Sequence, residues 1–240
     1  KFALSDIFRR LHFMLRFNIV TDSTHSSGTR GAPFPFAKRW THLATMTARD
    51  AHKTDWSDPG VCLTVTVLGC TGDLAKKKTY PALFALFLHG HLPSGTMVVG
   101  YARSDLDDAA LRNTLRDRLK GPADKVEQFL KRCFYERGAY EDETRDNVFG
   151  GLGKRIESFE NERNASEAHR VFYLALPPSV YPPVCRNIRE ACMSITGWTR
   201  VIVEKPFGRD LKSSEQLSGG IARLFTEKQL YRIDHYLGKE

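Results

Sequence analysis

The 240-residue chain is 41% hydrophobic and 27% charged, which allows a substantial core in one or two domains and leaves no uninterrupted apolar stretch of about twenty residues able to cross a membrane as a helix. The formal charge of +8 raises nucleic acid as a partner, but residues 1–49 hold eight Lys or Arg against two acids, so the remainder has an excess of only two, and no recognition motif or regular aromatic and basic interleaving accompanies it. The five cysteines, at 62, 70, 133, 185 and 192, are odd in number and lack CxxC or His-interleaved spacing, which argues against a disulfide framework or structural metal and fits a reducing compartment such as the cytoplasm.

In chain order, the first stretch mixes Phe2, Leu4, Ile7, Phe8, Leu11 and Phe13 with Arg9, Arg10 and Arg16. This acid-poor amphipathic pattern is that of a mitochondrial or plastid transit peptide. Met46, followed by the polar Thr-Ala-Arg-Asp-Ala-His, is an equally good start of translation, and both readings stand. Residues 21–60 are rich in Ser, Thr, His, Gly and Pro and are predicted to be disordered, so residues 1–60 are assigned to an N-terminal extension.

From Val61 strands and helices alternate, the pattern of α/β architecture. A strand ends at Leu68; a helix burying Leu83, Leu86 and Phe87 follows, bent by Pro81 and stopping near Gly90. Thr96–Tyr101 form the second strand. Leu111, Leu115 and Leu119 mark a helix whose acidic first turn complements its dipole, and Val126, Phe129, Leu130 and Cys133 repeat the helical period. A stripe at Val148, Leu152, Ile156 and Phe159 precedes a strand at Val171–Leu176. The segment around Val184, Ile188 and Cys192 precedes a strand at Val201–Val203. Gly219 and Gly220 fall inside the helical pattern of Leu217, Ile221 and Leu224, each at a cost of about 1 kcal/mol relative to Ala, so that helix is expected to be weak or interrupted. The order predicts a Rossmann-like doubly wound parallel sheet over residues 61–233.

Residues 63–78 carry the strongest chemical signal. A β-branched run enters Gly69 and Gly72 and then a basic helical segment, the arrangement in which glycines let the backbone approach a pyrophosphate and a helix start aims free N–H groups at it. The spacing is Gly-x-x-Gly, only part of the dinucleotide fingerprint, and a plain strand-to-helix turn is the alternative. At the end of the second strand stand Tyr101, Ala102, Arg103 and Ser104. An NAD site places an acid at this point to meet the ribose 2′-hydroxyl, whereas a 2′-phosphate requires a cation, which a guanidinium supplies in bidentate form. NADP is therefore the expected cofactor, with nearby Asp105 leaving room for both nucleotides.

Three further segments, Tyr-Leu-Ala-Leu-Pro-Pro (173–178), Val-Ile-Val-Glu-Lys-Pro-Phe-Gly-Arg-Asp (201–210) and Tyr-Arg-Ile-Asp-His-Tyr-Leu-Gly-Lys-Glu (231–240), complete an ordered set with the glycine turn and Gly-Tyr-Ala-Arg-Ser (100–104). From about Val61 to Glu240 the chain resembles the glucose-6-phosphate dehydrogenase family. The resemblance implies that Gly69, Cys70, Thr71, Gly72, Asp73, Leu74, Ala75 and Lys76 hold the NADP pyrophosphate, with Lys78 as a further basic contact and Arg103 on the 2′-phosphate. It places Tyr181 near the nicotinamide and Lys205 against both cofactor and sugar. It gives His235, Tyr236, Leu237, Gly238 and Lys239 the grip on the phosphate of glucose 6-phosphate. Asp234 has the implied task of orienting a general-base histidine that the family carries beyond the position of Glu240.

The implied activity is oxidation of glucose 6-phosphate to its 6-phosphoglucono-lactone with hydride transfer to NADP, in the oxidative pentose phosphate pathway. Family members continue past the Lys-Glu pair into a large antiparallel-sheet domain that carries the base and the main homo-oligomer contacts. Residues 234–240 are accordingly expected to begin that second domain, and the 240 residues alone are expected to be inactive. A non-catalytic NADP-binding module is the alternative reading of the chain as it stands. No nucleic acid, membrane or metal ion is expected as a partner.

Overall fold

The computed structural model describes residues 54–141, 147–204, 217 and 219–233. Within them six strands form one parallel sheet: β1 (Val61–Leu68), β2 (Thr96–Ala102), β3 (Cys133–Arg137), β4 (Glu167–Leu174), β5 (Thr199–Glu204) and β6 (Leu230–Ile233). Their spatial order is β3-β2-β1-β4-β5-β6, that of the doubly wound dinucleotide folds. Every residue of β1 and β2 is buried. Strands covered on both faces read as continuous apolar, β-branched runs, and Val-Cys-Leu-Thr-Val-Thr-Val-Leu is one.

Helices cover both faces. On one side Leu63, Val65 and Val67 of β1 pack with α1 (Tyr80–Leu88), α2 (Asp108–Arg116) and α3 (Ala123–Leu130), through Leu83, Phe84, Leu111, Leu115, Val126 and Phe129. On the other, Leu68, Val99, Phe172 and Val201 pack with α4 (Gly150–Glu162) and α5 (Tyr181–Ala191), through Leu152, Ile156, Val184 and Ile188. The helix ends follow from local chemistry. Asp107 caps α2, its carboxylate accepting from the Ala110 N–H at 2.7 Å. α1 stops at Gly90, whose φ of +68° closes a Schellman turn: the His91 N–H donates to Leu86 O and the Gly90 N–H to Phe87 O. None of the helices among the described residues is long and apolar enough to cross a membrane.

Several expectations need correction. Cys133, counted with the helical stripe, begins β3, because α3 ends at Leu130 and two residues suffice to turn the chain into the sheet. β4 closes at Leu174, two residues early, and β6 is a strand the periodicity did not show. Phe87 is only half-buried, while Phe84 lies in the core. Within residues 54–60, assigned to the extension, two side chains are anchored on the domain: Thr54 is buried with Oγ1 3.3 Å from His169 Nε2, and Trp56 lies edge-on to the rings of His169 and Trp198. The aromatic ring of Trp56 gives this segment an apolar anchor that the neighbouring polar composition hides. Leu217, Gly219, Gly220 and Ile221 are helical; Ser218 lies outside the described residues.

Candidate functional site

The strand order reverses between β1 and β4, and the crevice outside their carboxyl ends is where open α/β sheets take their ligands. Gly69 stands at that point. Its φ is +81°, and a Cβ there would lie 2.4 Å from Ala175 O, just past the end of β4. Only glycine satisfies both conditions. The turn is tied to β2 as well, since the Gly69 and Cys70 N–H groups both point to Tyr101 O, at 2.9 and 3.4 Å. Gly72 then folds back, its N–H donating to Gly69 O at 2.9 Å.

Gly69, Cys70 and Gly72 thus spend their amides on the turn, whereas the N–H groups of Thr71, Asp73, Leu74 and Ala75 have no backbone acceptor among the described residues. These are the unsatisfied donors of a helix start, aimed at the mouth of the sheet. Gly72 and Asp73 are exposed, Thr71, Leu74, Lys76 and Lys78 half-buried and Ala75 buried, so the open side of the turn lies at Gly72 and Asp73. The cradle therefore fits an anionic pyrophosphate. Asp73 itself is occupied: Lys77 Nζ lies 2.7 Å from its carboxylate, and that hydrogen bond and charge hold the carboxyl below its ordinary range. Lys76 and Lys78 form no ion pair among the described residues.

Beneath the turn the packing is close. Cys70 is buried, and desolvation pushes its thiol up to about 12, so it remains protonated and cannot serve as a nucleophile. Its Sγ and the buried Tyr80 hydroxyl both press on Gly100 of β2, where a Cβ would come within 2.9 and 2.6 Å of them. Gly100, the first residue of the Gly-Tyr-Ala-Arg-Ser segment, thus lets the strand pack under the turn; an isolated glycine inside a strand is the signal that marks such an approach. Ala75–Thr79 wind as a π turn, the Tyr80 N–H reaching back to Ala75 O. The wide turn immediately precedes Pro81, which has no N–H to continue the ordinary ladder.

At the end of β2, Arg103 and Ser104 are exposed. The Arg103 guanidinium lies over the Tyr140 ring, 5.5 Å from its centroid, a cation–π placement that holds the charge while leaving its edge donors open. Ser104 Oγ is 3.3 Å from Thr71 Oγ1, which brings the phosphate turn and the strand end to one rim. Asp105, the acid that left the nucleotide open, is engaged by Arg137 at 2.8 Å. Tyr140 and Arg137 were not singled out in the sequence, and their contacts arise only from the pairing of β2 with β3.

The other side of the crevice is built on β4 and β5. After Leu174 the chain passes through Ala175 and Leu176 to a 3₁₀ turn at Pro178–Val180 and into α5 at Tyr181. Tyr181 is buried, and its hydroxyl donates to Glu204 O at 3.2 Å and accepts from the Glu204 N–H at 3.3 Å. It thereby clamps the end of β5. Burial pushes this phenol up to about 12, so it stays a neutral donor. The Glu204 carboxylate, also buried, accepts from the Tyr173 hydroxyl. Lys205, Asp234, His235, Tyr236, Leu237, Gly238 and Lys239 lie outside the described residues.

Comparison with known proteins agrees with this geometry. The family model described as "Glucose-6-phosphate dehydrogenase, NAD binding domain" matches residues 66–240. Glucose-6-phosphate 1-dehydrogenase 6, cytoplasmic, of Arabidopsis thaliana is 49% identical over 75% of this chain and 36% of its own length. The glucose-6-phosphate 1-dehydrogenase of Saccharomyces cerevisiae is 50% identical over 73% of this chain and 35% of its own. A solved glucose-6-phosphate dehydrogenase in complex with its substrate glucose-6-phosphate superposes with a TM-score of 0.69 at 46% identity, covering 74% of this chain and 37% of that one. The chain thus spans about a third of the length of these relatives. With the matched family model covering most of the sequence, the chain belongs to the glucose-6-phosphate dehydrogenase family and carries its nicotinamide-dinucleotide-binding domain.

Proposed function

We propose that this domain binds NADP in preference to NAD, and that it serves a glucose-6-phosphate dehydrogenase that oxidises glucose 6-phosphate to the 6-phosphoglucono-lactone in the cytoplasm. The observation that carries the reading is the rim at the ends of β1 and β2. There the amides of Thr71, Asp73 and Leu74, which have no backbone acceptor among the described residues, and the guanidinium of Arg103 suit a pyrophosphate and a 2′-phosphate, while the acid at 105 is already paired. The dinucleotide, when bound, supplies the hydride acceptor. The protein holds it by its anionic groups and, through Tyr181, fixes the end of the strand that runs into Lys205.

The remaining roles rest on the family resemblance. Lys205, one peptide bond past the clamped Glu204, is assigned to cofactor and sugar. His235, Tyr236, Leu237, Gly238 and Lys239 are assigned to the sugar phosphate, where imidazole, phenol and ammonium donors converge on a dianion. Asp234 is assigned to the histidine that takes the C1 hydroxyl proton. The longer members of the family are expected to be homo-oligomers.

Titration calorimetry of the 240-residue chain tests the cofactor assignment. NADP should bind about tenfold or more tightly than NAD, the scale of one charge-assisted contact, and Arg103→Ala should remove most of that difference while leaving NAD binding intact. Equal affinities for the two nucleotides in the unmutated, folded chain would overturn the assignment.

A further inference from the structure

We propose that Arg137, presented from the end of β3 and held by Asp105, is a second specificity-determining cation for the nucleotide's 2′-phosphate, so that the Asp105–Arg137 pair acts with Arg103 to set the preference for NADP over NAD. The inference rests on the NADP reading above and extends it to a residue on a different strand.

The placement follows from register. Arg137 pairs with Ala102 across β2 and β3, and the Gly138 N–H donates to Ala102 O at 3.0 Å, so the last residue of β3 stands beside the last residue of β2. The Tyr135 hydroxyl lies 3.0 Å from Ala102 O and 2.6 Å from Ser104 O, which pins the segment carrying Arg103 and Asp105 to β3. The Tyr101 hydroxyl donates to Ala139 O at 2.7 Å, fixing the chain just past Gly138. Arg137 therefore stands at the end of β3, beside the end of β2 that leads into Arg103.

The charges give the pair its function. An acid close to the end of the second strand is what an NAD site uses to accept from the ribose 2′-hydroxyl, and it would repel a 2′-phosphate. Asp105 sits two residues beyond Arg103, and Arg137 Nη1 lies 2.8 Å from its Oδ1. The two side chains are 84% and 58% exposed, and an ion pair so open to water contributes little to folding. Stability is thus a weak account of it. Locally, however, the pair cancels the repulsive carboxylate and orients a guanidinium. Of the five N–H donors of Arg137 only one is engaged with Asp105 among the described residues, leaving the rest of the fork for an oxyanion.

The test compares NADP and NAD binding by calorimetry for the unmutated chain, Arg137→Ala, Asp105→Asn and the double variant. Arg137→Ala removes a cation and frees the Asp105 carboxylate, so NADP affinity should fall about tenfold while NAD affinity holds or improves; retained NAD binding also certifies the fold. Asp105→Asn should raise the NADP to NAD ratio, and in that background Arg137→Ala should cost NADP less than in the unmutated chain. If the unmutated chain prefers NADP and Arg137→Ala leaves the ratio within about twofold, an effect too small for a charged contact, Arg137 is a surface residue and the inference fails while the NADP reading survives. If the unmutated chain shows no preference, the NADP reading itself fails.

Discussion

His169 shows how far a single side chain can be committed by its surroundings. It is fully buried, its ring stacked on Trp198 at 4.4 Å between centroids and met edge-on by Trp56 at 5.0 Å. The Trp198 N–H donates to Nδ1 at 3.2 Å, so the ring hydrogen belongs on Nε2, which lies 3.3 Å from Thr54 Oγ1 and 3.2 Å from Glu167 Oε1. Burial, with a smaller push from the Arg200 charge, lowers its pKa from 6.5 to about 4. The unfolded chain therefore binds a proton between these values that the folded chain refuses. The stability His169 contributes is complete above about pH 6.5 and is lost as pH falls toward 4. Between pH 7 and pH 5 this should cost about 2 kcal/mol, read as the extra loss in denaturant melts of the unmutated chain over His169→Gln. Parallel losses in the two proteins would mean that the ring is protonated in the fold. No spacing in the sequence marks this histidine, because its neighbours come from positions 54, 56 and 198.

At the scale of the element, β1 serves both the core and the site, and its two faces are unequal. Leu63, Val65 and Val67 fill one core. Between them, Thr64 and Thr66 are wholly buried, and their hydroxyls have no hydrogen-bond partner among the described residues. A buried hydroxyl without a partner costs on the order of 1 kcal/mol or more. Thr66→Val keeps the shape and removes that cost, so it should stabilise the chain by about 1 kcal/mol, whereas Thr66→Ser, which keeps the hydroxyl and loses a methyl, should destabilise it. A loss of stability in the valine variant, followed by urea denaturation, would show the hydroxyl to be satisfied. The strands that were legible in the sequence, β1, β2, β4 and β5, are the ones buried over most or all of their length. β3 and β6 close the sheet among the described residues; they have five and four residues, and each is partly exposed. An edge strand so short leaves little pattern, and Cys133 happens to continue a helical period. The site divides in the same way. Gly69 was legible because a left-handed turn and a close backbone approach admit only glycine, whereas Arg137 and Tyr140 meet Asp105 and Arg103 through strand register, which a linear reading cannot see.

The whole molecule brings these parts to one edge. Because the order reverses at β1 and β4, the glycine turn, the end of β2 with Arg103, and the clamped end of β5 all open on the same crevice. A domain so arranged can bind and orient a dinucleotide, but binding alone does not take a proton from a sugar hydroxyl. The residues assigned to the substrate include binding donors and one orienting carboxylate, and none has the role of general base. The family resemblance assigns that role to a histidine outside these 240 residues. The 240-residue polypeptide is therefore expected to bind NADP yet produce no NADPH from glucose 6-phosphate, since general-base catalysis typically supplies on the order of a hundred- to ten-thousandfold in rate. The measurement is absorbance in the NADPH band, with calorimetry on the same sample to establish that NADP is bound. A flat trace from a binding-competent sample fits the division of labour between cofactor domain and base. Turnover in a preparation free of host dehydrogenase would place the base within residues 1–240, and the assignment of Asp234 as a carboxylate acting on a histidine elsewhere would have to be abandoned.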